Sequence, residues 1–126
     1  FNTSSETSEE VGMCSVLNED VEKVYLNSFC FGFRLNKENV CSTFIAYLMR
    51  GPIGRKIMST LGQGATRINL SKNSFCKSFI MLPSELKEQE LVASYLQSLD
   101  KQITLYTKRL ERMKQIKASC LDKMFM

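Results

Sequence analysis

From Ser84 to the end of the chain there is neither a glycine nor a proline, and one apolar stripe runs through the whole stretch. The stripe comprises Val92, Leu96, Leu99, Ile103, Tyr106, Leu110, Met113, Cys120 and Met124, with Lys117 as its one interruption. Steps of four and three alternate throughout, which is the heptad spacing of a helix that packs against another helix. Ile116 and Leu121 widen the stripe at its far end. Ser84 suits a helix cap, and Glu85 and Glu88 fall in or near the first turn, where the helix dipole favours acids. At about 1.5 Å per residue such a helix is about 60 Å long. The 83 residues before it cannot cover so long a stripe, so the pattern predicts a second helix as its partner. Lys108, Arg109, Arg112, Lys114 and Lys123 lie off the stripe and read as a solvated flank rather than phosphate contacts. Lys117 inside the stripe fits a role in fixing register or oligomer state.

A chain of 126 residues has room for one modest domain, or for a small domain plus one long element. No run reaches the roughly 18 apolar residues of a membrane span. The polar, acidic opening FNTSSETSEE is unlike a secretory signal. A start at Phe1 instead of Met reads as a fragment of a longer protein. Five cysteines at irregular spacing, with no CxxC pair, argue against a disulfide framework or a zinc site. They read as reduced thiols of a cytoplasmic protein. Histidine is absent, which removes the commonest general base and the commonest transition-metal ligand. Neither a cofactor nor a metal is expected.

The net charge of +4 conceals an asymmetry. Residues 1–22 hold six acids and no base, whereas residues 23–83 hold nine Lys or Arg against the single acid Glu38. A basic block interleaved with aromatics can attract phosphates, although a solvated basic face explains the charge equally well.

Residues 1–20 show no period. Over 21–35 the β-branched and aromatic residues predict one or two strands, with a turn at Asn27–Ser28 and a bulge at Gly32. Their phenylalanines read as core rather than as base-stacking platforms. Between 41 and 61 the apolar spacing becomes helical around a Gly51–Pro52 break, with Ser42 or Thr43 as cap and Pro52 in the next first turn. In LGQGATRINLSKNSF (61–75), Gly62 and Gly64 permit tight backbone, while Gln63, Thr66, Arg67 and Lys72 supply polar tips; Ser71 or Asn73 caps a helical turn. KSFIML (77–82) reads as a short strand stopped by Pro83. The fold class is therefore α+β, with a small domain of short strands and helices over 1–83 and a coiled-coil helix over 84–126.

Three segments resemble the specificity subunit of type I restriction-modification systems. LGQGATRINLSKNSF (61–75) is similar to a glycine-rich loop late in its target-recognition domain. LPSELKEQELVASYLQSLDKQI (82–103) matches the helix start through Pro83, Glu88, Gln89, Leu99, Asp100 and Ile103. ERMKQIKASCLDKMF (111–125) resembles the family's ending, with Lys123, Met124 and Phe125. The resemblance implies two target-recognition domains, each reading half of a split site in double-stranded DNA. It also implies two antiparallel helices that space these domains and dock the methyltransferase and restriction subunits. Only 83 residues precede the helix, so one partial recognition domain is expected, with a homodimer through the helix as one way to supply the missing pair.

The candidate DNA-binding residues are Arg55, Lys56, Gln63, Thr66, Arg67 and Lys72, and the candidate helix interface is Val92, Leu96, Leu99, Ile103, Tyr106, Leu110 and Met113. Arg67 has a structural alternative, pairing with a carbonyl or a carboxylate. A methyltransferase is disfavoured, because its Asn/Asp-Pro-Pro-aromatic motif needs adjacent prolines and Pro52 and Pro83 stand apart. A coiled-coil adaptor without DNA binding explains 84–126 equally well, but not the basic block or the glycine loop.

Overall fold

The computed structural model describes residues 1–19, 21–36 and 38–125. Asp20 and Lys37, counted in the charge pattern, and Met126 lie outside the described residues. The chain divides into two units, residues 1–93 and 94–126.

Two helices meeting at a corner organise the first unit. The sequence STFIAYLMR forms α1 (Ser42–Arg50), which buries Phe44, Ala46 and Met49 at helical spacing. Its cap is Cys41, with no side-chain hydrogen bond, and not the expected Ser42 or Thr43. Gly51 makes the corner, its N–H donating to the Tyr47 carbonyl at 2.9 Å, and Pro52 opens α2 (Pro52–Leu61). Pro at the first helical position costs no hydrogen bond and starts from a helical φ. Gly54 is buried on α2, where a Cβ would collide with the backbone of Met49. The close approach at this corner therefore requires glycine.

α2 runs without a linker into β2 (Gly62–Gln63), which pairs antiparallel with β3 (Ile68–Leu70). On its other edge β3 pairs with β1 (Ser4–Ser5), so the order is β1-β3-β2. Ser71 then caps α3 (Lys72–Cys76), accepting from the Ser74 N–H as its sequence predicts. The residues just before β1 are held on both sides. Leu70 N–H donates to Thr3 O at 2.8 Å, Thr3 N–H to Phe29 O at 2.7 Å, and Phe31 N–H to Phe1 O at 3.0 Å.

Two strand expectations are corrected. Over 21–35 the backbone makes one isolated bridge, Cys30 to Asn2, and Gly32 is no bulge in a ladder. Val24, Tyr25 and Leu26 stay exposed. Over 77–82 the side chains do alternate, Phe79 and Met81 being 97% and 95% exposed while Ile80 and Leu82 are half-buried. Among the described residues no strand pairs with that segment, and alternation without a partner is not a sheet.

The core comprises Val11, Cys14, Phe31, Met49, Met58, Leu70 and Phe75. Phe1 stacks on Phe31 and Phe33 at ring centroids of 5.4 and 5.5 Å, and Phe75 closes the group. This bears out the core reading for Phe31, whereas Phe29 and Phe33 remain largely exposed; Phe75 joins the core from outside that stretch.

α4 (Leu86–Met124) starts at Leu86 rather than Ser84 and continues unbroken across the unit boundary. Within the second unit it is a single exposed helix, trimmed by one Lys114–Glu111 ion pair at 2.8 Å.

Candidate nucleic-acid interface

The β2–β3 hairpin is closed by a short turn that only glycine permits. Gly64 has φ +132°, and a Cβ there would strike the Arg67 carbonyl oxygen. The turn thrusts Gln63, Thr66 and Arg67 into solvent on one small projection. Asn69 ties its base, donating from Nδ2 to Arg67 O at 3.2 Å. Lys72, the first residue of α3, follows β3 closely and is exposed, and Lys56 is exposed on α2. Among the described residues, Lys56, Arg67 and Lys72 form no ion pair. Sequence position and fold thus gather Gln63, Thr66 and Arg67 on one hairpin, with Lys56 and Lys72 on the helices that enter and leave it.

Arg55 is placed differently. One of its amino groups donates to Val11 O at 2.7 Å and Ser8 O at 3.2 Å, and its other Nη is buried without a partner. Arg50 acts likewise, Nε donating to Cys14 O at 2.9 Å. These guanidiniums fasten the acid-rich N-terminal segment to the helix pair. Burial pushes the Cys14 thiol above its ordinary range, partly offset by the nearby positive charges of Arg50, the N-terminus and Arg55.

One residue of this unit was marked in the sequence only as a motif landmark. Gln89 is 1% exposed on the opening turns of α4. Its Oε1 accepts from Cys41 N–H at 3.0 Å, and its Nε2 donates to Asn39 O at 3.2 Å and Pro83 O at 2.8 Å. Both amide hydrogens are used, which is what a buried glutamine requires. One turn on, Ala93 is 3% exposed.

Most of the predicted helix interface is exposed. Leu96 and Leu99 are half-buried, but Val92, Ile103, Tyr106, Leu110 and Met113 are exposed, Ile103 at 62%. Among the described residues, no helix is long and apolar enough to cross a membrane. Among the described residues, no three His, Cys, Asp or Glu side chains gather to hold a metal.

These features define an α+β protein with an exposed hairpin that carries Arg67 and a long helix with an exposed heptad stripe. The family model for the type I restriction modification DNA specificity domain matches residues 4–115, and the chain belongs to that family. The match reaches well upstream of the three motifs, taking in β1 and both helices of the corner. No solved structure matches the chain.

Proposed function

We propose that this chain is the DNA-reading part of a cytoplasmic type I specificity subunit, in which the β2–β3 hairpin contacts DNA and α4 pairs with a second helix. The observation that carries this reading is the hairpin: Gln63, Thr66 and Arg67 stand exposed on it, with exposed Lys56 and Lys72 on the helices before and after it, and among the described residues none of these cations forms an ion pair. Arginine and glutamine tips suit base edges in the major groove, and lysines suit phosphates. Arg55 supports this face as a brace, one of its amino groups donating twice to the N-terminal segment.

The paired α4 spaces the recognition domains and docks the methyltransferase and restriction subunits, which perform the chemistry; the chain itself is not catalytic. A second copy of the chain can supply the partner helix. The exposed stripe also favours a second reading, an adaptor that joins subunits without touching DNA.

Substitution Arg67→Ala in a system reconstituted with the methyltransferase subunit separates the two. Weakened or relaxed methylation of the cognate site is the expected result. Unchanged methylation would remove the hairpin from the DNA face.

A further inference from the structure

We propose that Gln89 is a positioning residue for DNA reading, a single side chain that holds both ends of the segment carrying the reading hairpin. The inference rests on the assignment of the β2–β3 hairpin as the DNA face. Asn39 and Cys41 lie where that segment enters α1, and Pro83 lies where it leaves for α4. All three are bonded to the one buried amide, across sequence separations of 50, 48 and 6 residues.

What lies between these ends is nearly continuous. α1, the Gly51 corner, α2 and the hairpin follow one another without a loop, and Gly54 keeps the two helices in close contact. A shift where α1 begins is therefore carried along α2 to Gly62. Cys41, the cap of α1, has no side-chain bond of its own to the helix, and its N–H is fixed by Gln89 instead. A buried amide with donors and acceptor all engaged fixes geometry, because any displacement leaves a polar group unpaired. Base reading needs its tips placed closely, whereas phosphate attraction tolerates displacement.

Two variants divide the amide's functions. Gln89→Glu keeps the shape and the acceptor for Cys41 N–H but, when ionised, has no donor for Asn39 O and Pro83 O. Gln89→Met keeps the approximate length and removes all three bonds. The full chain is offered a pool of randomised DNA duplexes, and the recovered sequences are compared with those selected by the unaltered protein. Circular dichroism reports the fold, and binding of the unselected pool at low salt reports bulk affinity.

The expected result is a loss of about tenfold or more in discrimination for both variants, the scale of one misread base pair. Bulk affinity should stay within about threefold and the circular dichroism should be unchanged, because phosphate contacts tolerate small displacements. Variants that select the same sequences with undiminished discrimination would overturn the proposal. So would unfolding of both, which would make Gln89 a stability residue. If the unaltered chain selects no sequence, the DNA-reading assignment itself has failed, an outcome distinct from failure of the Gln89 inference.

Discussion

The arginines of α1 and α2 illustrate what a residue's neighbours decide. Arg55 and Lys56 are adjacent in sequence and identical in charge, yet Arg55 is half-buried against backbone carbonyls and Lys56 is exposed. Nothing in the local pattern distinguishes them, because the carbonyls that Arg55 meets belong to Ser8 and Val11, more than forty residues away. Gln89 was similarly opaque. A glutamine near a helix start reads as a solvent-facing helix former, and its partners appear only once residues 39–41 and 83 have been brought to it. The cysteines offer a test at this scale. Cys14 is buried and its thiol is pushed up by desolvation, whereas Cys76 and Cys120 are exposed. Only the thiolate alkylates, so a raised thiol pKa and burial act in the same direction. Under native labelling with iodoacetamide followed by mass spectrometry, Cys76 and Cys120 should react first and Cys14 last. Labelling of Cys14 as fast as Cys76 would show that the core around Val11 and Met58 is open.

At the scale of elements, the helices were legible and the strands were not. α1 to α4 follow from apolar spacing, a proline at a helix start and a serine cap, all of them properties of neighbouring residues. β1 is two serines with no pattern, and it exists because β3 is there to pair with it. The alternating 77–82 segment shows the converse, a strand pattern with no partner. The same dependence on a partner governs α4. Its opening portion carries Glu88, Glu90 and Asp100 against Lys87 and Lys101, while Lys108, Arg109, Arg112, Lys114, Lys117 and Lys123 outnumber Glu111 and Asp122 at its far end. Two copies laid antiparallel bring unlike ends together, and laid parallel they bring like ends together. Centred on residue 108, the antiparallel pair places Tyr106 opposite Leu110, Ile103 opposite Met113, Leu96 opposite Cys120 and Val92 opposite Met124, and its one mixed layer sets Leu99 opposite Lys117. Leu96→Cys should therefore form an intermolecular disulfide with Cys120 under mild oxidation, whereas the unaltered chain should form no Cys120–Cys120 bond. Ile103→Asp should weaken the association about a hundredfold, since each copy loses the burial of an isoleucine worth about 1.5 kcal/mol or more. A chain that sediments as a monomer at high concentration would refute self-pairing.

For the whole molecule, the question is how a protein of net charge +4 with an acidic beginning attracts DNA. The acids of the first segment oppose binding, and Arg50 and Arg55 hold that segment by its carbonyls rather than by its carboxylates. Its negative charge is therefore not cancelled by these bonds, and those two guanidiniums are withdrawn from the DNA-facing total. The exposed cations assigned to the proposed DNA face are Lys56, Arg67 and Lys72. Each phosphate neutralised contributes about −0.9 to the slope of log affinity against log salt on duplex DNA. With the two lysines on phosphates the slope is about −1.8 and non-specific affinity should fall roughly twelvefold between about 50 and 200 mM salt; with Arg67 on a phosphate as well, the slope is about −2.7 and the fall roughly fortyfold. A slope near −8 would mean that the whole basic block faces DNA and that Arg55 and Arg50 release their carbonyls on binding. Absence of binding at the lowest salt would favour the adaptor reading. Arg67→Ala divides the remaining possibilities. If Arg67 touches a phosphate, the slope becomes shallower by about one unit and all sequences weaken alike; if it reads a base, the slope holds and selectivity at one position relaxes. The exposed hairpin turn, set by Gly64, favours the second outcome, because it presents Arg67 beside Gln63 and Thr66 on one projection. A salt titration of both proteins on cognate and scrambled duplexes measures slope and selectivity together.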